Sequence, residues 1–448
     1  MDDTIAAIST AQGIGAISII RVSGQDAVKI VNSIFTKDIM NVKSHTIHYG
    51  FIVDNEVLID EVLVSVMRAP RTFTVEDVVE INAHGGICTT NKILELLLVN
   101  GCRLAEPGEF TKRAFLNGRI DLTEAEGVMD LINSETEVAR NMALNQVNGR
   151  VSSMIGDLRD RLAKIISNIE VNIDYPEYED IEIVTIHDIS NNLASLKKDI
   201  NNILEESNNS EILKNGIKTV IVGKPNVGKS SILNKLIGED KAIVTSVKGT
   251  TRDSIEASIS IDNIKLNLID TAGIRDTLDE VESIGVDKSL KLIDEAELIL
   301  FVLNNNEKLD KYDLEILEKI KNSNYITIIN KIDLAKKIDD SSLKNIVYVS
   351  ALNDENIDEI KNKIKKMFNL EKIKTSDLTY LTGARSTSIL RKVLNHISDI
   401  ESGISSNMPI DMIEIDLKSI WNLLGEIIGE SYDDELLDEL FSRFCVGK

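Results

Sequence analysis

The amino-acid sequence predicts a multidomain chain with three parts: an α+β unit at the start, an all-α domain made of two separated segments, and a parallel-sheet α/β domain inserted between those segments. Three observations carry this expectation. Strand-like apolar runs come first, helical spacing with few Pro or Gly follows, and near Gly216 strands begin to alternate with helices until helical spacing returns. The 448 residues suit about three domains at roughly 150 residues each.

Residues 1–118 form the α+β unit, because runs such as Ile17-Ser18-Ile19-Ile20-Arg21-Val22 and Val62-Leu63-Val64-Ser65-Val66 are strand-like and short helical stretches follow them. Residues 119–212 are the first helical segment, with apolar positions recurring at Leu158, Leu162, Ile165 and Ile169. Residues 213–372 are the α/β domain, opening on the buried-strand signal Ile217-Lys218-Thr219-Val220-Ile221-Val222. Residues 373–448 return to helical periodicity, with an acidic stretch from Glu430 to Glu439 and the ending Phe441-Ser442-Arg443-Phe444-Cys445-Val446-Gly447-Lys448. Packing the two helical segments together makes the α/β domain an insertion, which is tolerated where a domain's termini lie close together.

Composition excludes several classes. Hydrophobic residues are 43% and charged residues 27%, ordinary for a folded globular chain. Aromatics are only 4%, with the single Trp421, so aliphatic side chains must fill the cores and base-stacking platforms are not expected. Fifty basic against 73 acidic residues give a net charge of −23, and charge alone therefore predicts no RNA partner. Cys88, Cys102 and Cys445 support neither a disulfide framework nor a multi-cysteine zinc site, which suits a reducing compartment. The start Met1-Asp2-Asp3 has no targeting pattern and no apolar run reaches the ~18 residues that span a bilayer, so a cytoplasmic protein with no membrane association is expected.

The strongest chemical signal is Gly223-Lys224-Pro225-Asn226-Val227-Gly228-Lys229-Ser230, placed after an apolar strand and before the helical run Ile232-Leu233-Asn234-Lys235-Leu236. Glycines let successive backbone N–H groups turn toward phosphate oxygens, the helix N-terminus adds positive potential, and Lys229 supplies a point charge. The Ser230 hydroxyl can meet Mg²⁺. Asn330-Lys331-Ile332-Asp333 follows the strand-like Tyr325-Ile326-Thr327-Ile328-Ile329, at the carboxyl end where open α/β sheets bind ligands. The Asp333 carboxylate can accept two hydrogen bonds from guanine and none of that pair from adenine, which selects the base. Ser350-Ala351, after Ile346-Val347-Tyr348-Val349, fits a further base-contacting loop.

Asp270-Thr271-Ala272-Gly273 follows the hairpin-like Ile261-Asp262-Asn263-Ile264 and puts a carboxylate near Mg²⁺ and mobile backbone near the γ-phosphate. In Gly249-Thr250-Thr251-Arg252-Asp253, a Thr hydroxyl can complete the Mg²⁺ shell while GTP is bound. Four motifs in this order read as a P-loop G domain that hydrolyses GTP. Ile274 stands where small signalling GTPases place the Gln that orients water. Another group must do so, and Asp276, Asp279, Glu280 and Glu282 are all candidates by spacing.

With these motifs in place, the chain resembles the MnmE (TrmE) family of tRNA-modification GTPases over essentially its whole length. The resemblance rests on Asp3-Thr4-Ile5-Ala6-Ala7-Ile8, Arg21-Val22-Ser23-Gly24, Glu76-Asp77-Val78-Val79-Glu80, His84-Gly85-Gly86, Pro107-Gly108-Glu109-Phe110-Thr111-Lys112-Arg113-Ala114-Phe115-Leu116-Asn117-Gly118 and the terminal Phe-Cys-Val-Gly-Lys. It implies that residues 1–118 bind a tetrahydrofolate derivative (5-formyl- or methylene-tetrahydrofolate) and mediate formation of a homodimer. It further implies a complex with an FAD-dependent MnmG (GidA)-type protein, FAD being carried by that partner alone. Together they would modify C5 of wobble uridine in tRNA, giving the aminomethyl or carboxymethylaminomethyl type of product.

The resemblance also assigns residues. It gives GTP contacts to Asn226, Val227, Gly228, Lys229, Ser230 and Ser231, to Thr245, Ser246, Val247, Lys248, Gly249, Thr250 and Thr251, to Asp270, Thr271, Ala272 and Gly273, and to Asn330, Lys331, Asp333, Ser350 and Ala351. Mg²⁺ falls to Ser230 and Thr251, and K⁺ to Asn226, Thr245, Val247 and Thr250. Glu282 becomes the catalytic, water-positioning acid. Folate falls to Arg21, Glu80, Arg119 and Lys448, which is chemically sensible because a pterin offers paired donors to a carboxylate and cations suit a glutamate tail. From the residues alone, Arg21 reads as a strand-edge residue and Glu80 as a strand end, both on the surface. Cys445 reads as a small, partly buried thiol, with no nucleophilic role. The chain departs from the family pattern at Thr10-Ala11-Gln12-Gly13-Ile14-Gly15, which lacks prolines, at Val75 in place of Gly, at Arg119 in place of Lys, and at Thr382-Gly383-Ala384-Arg385-Ser386, which lacks Asn and His.

The rival class is a ribosome-assembly or RNA-docking GTPase switch. It shares the G motifs but calls for a basic RNA-binding module after them, whereas residues 373–448 are helical and acidic near the end. A membrane-remodelling GTPase would need a basic amphipathic helix, and none stands out.

Overall fold

The structure is a computed structural model that describes residues 3–11, 13–174, 186–239, 255–261, 264–269, 292–368, 370 and 381–448. The chain divides into two compact units, one of Met1–Met129, Gln146–Ile189 and Asn395–Lys448, the other of Asp130–Asn145 and Ser190–Leu394.

The first unit begins with β1 (Ile5–Ile8), β2 (Ile17–Ser23), α1 (Ala27–Ile34), β3 (Thr46–Asp54), β4 (Val57–Met67), β5 (Val78–His84), α2 (Ile87–Val99), β6 (Arg103–Leu104) and α3 (Glu109–Leu116). Its sheet has the order β3-β4-β5-β2-β1-β6, antiparallel except that β6 runs parallel to β1. Alternation decides the faces. Val62, Val64 and Val66 of β4, Val79, Ile81 and Ala83 of β5, and Ile20 and Val22 of β2 are buried together with the apolar residues of α1 and α2. Each fully buried Val or Ile contributes about 1.5–3 kcal/mol relative to exposure. The other face carries Arg21 and Glu80, which are register partners, and a smaller cluster of Ile5, Ala7, Ala105 and Phe110 with Phe73 against it.

This sheet order corrects the reading of both residues. β2 lies between β5 and β1, so Arg21 is interior to the sheet, and Glu80 is the third of seven residues in β5 rather than at its end. Which strands flank β2 depends on pairings with distant segments, which strand periodicity does not encode. At the end of β5, His84 donates its Nδ1–H to Asp60 at 2.7 Å, and that hydrogen bond holds the imidazole above its ordinary pKa.

The long helical stretch becomes α4 (Leu122–Asn133), α5 (Glu137–Val147), α6 (Arg150–Asp174) and α7 (Ile186–Asn215). The buried stripe of α6 is Leu158, Leu162, Ile166 and Ile169, with Ile166 in place of the expected Ile165, a one-residue shift allowed by the 3.6-residue turn.

The second unit holds β7 (Ile217–Val222), α8 (Lys229–Glu239), β8 (Ile255–Ile261), β9 (Ile264–Ile269), β10 (Leu298–Asn304), α9 (Lys311–Ile320), β11 (Tyr325–Asn330), β12 (Ile346–Tyr348) and α10 (Ile357–Met367). The sheet order is β12-β11-β10-β7-β9-β8, parallel throughout except for the antiparallel β8–β9 pair. Every residue of β10 and β11 is buried, as expected of central strands covered on both faces.

The chain closes with α11 (Ala384–Ser405), α12 (Ile410–Ile428) and α13 (Asp434–Ser442). In the first unit α12 packs along α6, where the Arg159 guanidinium lies 4.1 Å from the centre of the Trp421 ring and pairs with Glu430. Against α3, Leu437, Phe441 and Phe444 join Phe115 and Leu122 in one core. Among the described residues no helix is long and apolar enough to cross a membrane.

Candidate functional site

In the second unit the phosphate-loop motif spans the turn between the end of β7 and the first residue of α8, the geometry that aims helix N–H groups at an anion. Gly223 and Gly228 have positive φ and no room for a side chain. A Cβ would lie 2.3 Å from the Val302 carbonyl oxygen at the first and 2.2 Å from Asn330 Nδ2 at the second. The Lys229 ammonium donates to the Gly223 and Lys224 carbonyls at 2.7 Å each, so its charge sits within the loop.

The base-reading motifs converge on that loop. Asn330 is 2% exposed; its Nδ2 donates to the Val227 carbonyl at 2.9 Å, and its Oδ1 accepts from the Ala351 N–H at 3.1 Å. Lys331 Nζ donates to the Asn226 carbonyl at 2.7 Å. Asp333 Oδ1 accepts from Ser350 Oγ at 2.6 Å. The Asn330 side chain thus braces two loops, while the Asp333 carboxylate keeps capacity for a further donor pair. Asn226 and Lys331 both adopt left-handed backbone, with φ of 62° and 65°. Such strain at non-glycine residues persists where surrounding bonds hold it.

The remaining G-domain candidates lie outside the described residues: Thr245, Ser246, Val247, Lys248, Gly249, Thr250, Thr251, Asp270, Thr271, Ala272, Gly273 and Glu282. Of the Mg²⁺ and K⁺ candidates, Ser230 and Asn226 are described, and Ser230 is the second residue of α8. Hydroxyl and carboxamide oxygens are hard donors, which suits both cations.

A second cluster forms in the first unit. Arg21 Nε donates to Glu80 Oε1 at 2.9 Å, its NH1 donates to the Gly447 carbonyl at 3.1 Å, and its guanidinium lies 5.7 Å from the centre of the Phe110 ring. Ser9 Oγ donates to the same Gly447 carbonyl at 3.1 Å, and Pro107 pairs with Val446 as an isolated bridge. Burial, reinforced by the Arg21 charge, holds the Lys448 ammonium below its ordinary pKa. Arg21 bonds to the carbonyl of Gly447, the residue before Lys448, so the two basic residues share one neighbourhood, and such cations can meet the carboxylates of an anionic ligand. Arg119 donates to the Thr72 carbonyl and stacks 5.2 Å from the centre of the Phe73 ring. The structure therefore gathers Arg21, Glu80 and Lys448, and joins Arg119 to them through Phe73, which packs on the Phe110 cluster. Sequence reasoning missed Phe110, Phe73 and the Gly447 carbonyl; the separation of 426 positions between Arg21 and Gly447 leaves no local signal for the last of these. Cys445 is exposed rather than partly buried as expected, since it sits just before the chain's end where little packs over it, whereas Cys102 is buried and its thiol is pushed up to about 12 by burial.

A family model described as MnmE helical domain matches residues 122–445, and one described as GTP-binding protein TrmE N-terminus matches residues 4–119. The tRNA modification GTPase MnmE of Lactococcus lactis subsp. lactis (strain IL1403) is 50% identical over 448 residues, covering 100% of this chain and 98% of that protein. Its namesake from Bacillus subtilis (strain 168) is 49% identical over 458 residues, covering 100% of each. Among solved structures, Era in complex with MgGDPNP and nucleotides 1506-1542 of 16S ribosomal RNA is 31% identical, covering 34% of this chain and 56% of its own at a TM-score of 0.26.

Proposed function

The chain belongs to the MnmE family of tRNA modification GTPases, a GTP hydrolase acting in tRNA modification, and from that premise we propose how its residues divide the work. The proposed layout is an N-terminal domain at 1–118, a helical domain at 119–212 and 373–448, and a G domain at 213–372.

In the G domain, the main-chain amides from Asn226 to Ser231 and the Lys229 ammonium bind the phosphates, and Asp333 reads guanine within the brace made by Asn330, Ser350 and Ala351. Glu282 orients the attacking water in place of a Gln, since Ile274 has no polar group with which to do so. Ser230 and Thr251 would hold Mg²⁺, and Asn226, Thr245, Val247 and Thr250 would hold K⁺; when bound, these cations supply positive charge to the phosphate oxygens.

In the N-terminal domain, Glu80 would accept the pterin's paired donors, and Arg21, Arg119 and Lys448 would meet the carboxylates of a tetrahydrofolate, which supplies a one-carbon unit. Working as a homodimer with an FAD-dependent MnmG-type protein, the chain would direct that unit to C5 of wobble uridine in tRNA. The flavin chemistry belongs to the partner, because no side chain of this chain carries hydride. A cytoplasmic location goes with this reading.

The observation that carries the one-carbon reading is the Arg21 guanidinium bonded both to Glu80 and to the carbonyl of Gly447, the residue before Lys448. Its test compares wobble-uridine nucleosides in tRNA from cells with and without the gene, together with GTP turnover of wild-type and Glu282→Ala protein in KCl and NaCl. Expected are loss of the C5-modified nucleoside, turnover that needs K⁺, and a drop of about 10²-fold for Glu282→Ala with nucleotide binding kept. Unchanged nucleosides would reject the tRNA role, and equal turnover in both salts would reject the K⁺ assignment.

A further inference from the structure

The phosphate loop carries a second lysine that none of these roles uses. Lys224 follows Gly223 at the loop's first bend, and its ammonium lies 2.6 Å from Asp313 Oδ2 and 2.8 Å from Asp310 Oδ2. Both carboxylates belong to the N-terminus of α9. Asp310 is its N-cap, and each aspartate accepts the other's backbone N–H at 3.1 Å. Asp313 is 2% exposed, and its Oδ1 has no hydrogen-bond partner among the described residues. A buried carboxylate in that condition is tolerated only with a cation beside it, and Lys224 is that cation. The contact therefore joins the first bend of the loop to a helix cap by charge-assisted bonds. Of the other side-chain contacts described above, Lys331 on the Asn226 carbonyl and Asn330 on the Val227 carbonyl grip later positions of the same loop, and Lys229, itself a loop residue, closes the loop on its own Gly223 and Lys224 carbonyls without tying that bend to α9.

We propose that Lys224 is a positioning residue for the nucleotide: held by Asp310 and Asp313, it keeps the phosphate loop in its binding shape before nucleotide arrives and keeps its own ammonium away from the phosphates. The inference rests on the GTPase reading of this loop. If only a fraction of molecules holds the loop in that shape, apparent affinity falls by that fraction. Once phosphates fill the loop they order it themselves, so the tether acts on binding of GDP and GTP alike and not on the chemical step.

The experiment uses the full-length protein and measures GDP and GTP dissociation constants, KM and kcat for wild type, Lys224→Arg, Lys224→Gln and Asp313→Asn. Circular dichroism on the same samples corrects each value for the folded fraction. Lys224→Gln and Asp313→Asn are expected to weaken both nucleotides by one common factor, on the order of 3- to 10-fold, the scale of ordering a long side chain and its loop. The loss should fall in KM, and Lys224→Arg should restore affinity. Unchanged affinities in Lys224→Gln with wild type binding normally would overturn the tether alone, as would a loss confined to kcat or an arginine variant as impaired as the glutamine one. A wild-type protein that bound no guanine nucleotide would remove the GTPase reading and the tether together.

Discussion

Val75 is held at a φ of 64°, left-handed backbone that a β-branched side chain strongly disfavours. Among the described non-glycine residues with positive φ it alone is β-branched. Its neighbours hold it there. Ser23 Oγ bonds to Thr74 Oγ1 and Glu76 Oε2 at 2.7 Å each, and Asn117 Nδ2 donates to the Thr74 carbonyl at 2.6 Å. Such strain is worth about 1–3 kcal/mol, while a glycine adds back roughly 0.5–1 kcal/mol of unfolded-chain freedom. Val75→Gly should therefore stabilise the protein by about 1 kcal/mol, seen as a higher urea midpoint at unchanged m; a lower midpoint would contradict the strain. Sequence reading marks Val75 as a departure from a family pattern. The conformation behind it is set by Ser23 and Asn117, far away in the chain. Asn330 teaches the same lesson, since its motif is legible but its service as a brace to Val227 depends on β11 and β7, separated by β10 in the parallel sheet, ending at the same edge.

Helix α3 is anchored by a buried charge network. Arg113, whose side chain is 1% exposed, donates to Glu76 Oε1 at 3.0 Å, to Asp3 Oδ1 at 2.8 Å and to Glu109 Oε1 at 3.0 Å, while Arg103 pairs with Glu109 at 2.5 Å. Arg113→Met would leave the partly buried Glu76 without its cation and should cost about 3 kcal/mol at most, read as a lower unfolding midpoint. Burial pushes the Glu109 carboxyl up, but the bonds from Arg103, the Glu106 N–H and Arg113 outweigh it, so its folded pKa lies below the ordinary value; Asp3 is lowered against its burial by Arg103 and Arg113. A carboxylate depressed in the folded state stabilises above its unfolded pKa and loses that contribution as pH falls through the folded one. The α3 region should therefore weaken below about pH 4. Acid titration by circular dichroism checks this, and an acid midpoint identical in Arg113→Met would refute the assignment to this network. At the scale of elements, period two reveals the strands and helical spacing reveals α6, but the order β3-β4-β5-β2-β1-β6 rests on pairings such as β1 with β6 that no periodicity contains.

For the molecule as a whole, the last residues close onto the first strands, where folate binding is proposed. The Gly447 carbonyl accepts from Arg21 and Ser9, and Gly108 N–H donates to the Cys445 carbonyl at 3.3 Å. On the proposed folate reading, removing residues 445–448 should lower tetrahydrofolate affinity at least about tenfold, the scale of one lost charged hydrogen bond, while GTP turnover persists because the phosphate-loop motif belongs to the other unit. Calorimetry with the truncated protein decides it, and unchanged folate affinity would move the ligand away from the C-terminus. By itself the sequence determined the nucleotide chemistry, the base preference and the succession of α+β, helical and α/β segments, since each is written in contiguous residues whose spacing has a direct geometric meaning. Tertiary structure alone decided that Arg21 meets Glu80 and Gly447, that Asn330 clasps the phosphate loop and that Lys224 turns to α9, because those partners are distant along the chain and are brought together only when the sheets assemble and their helices pack.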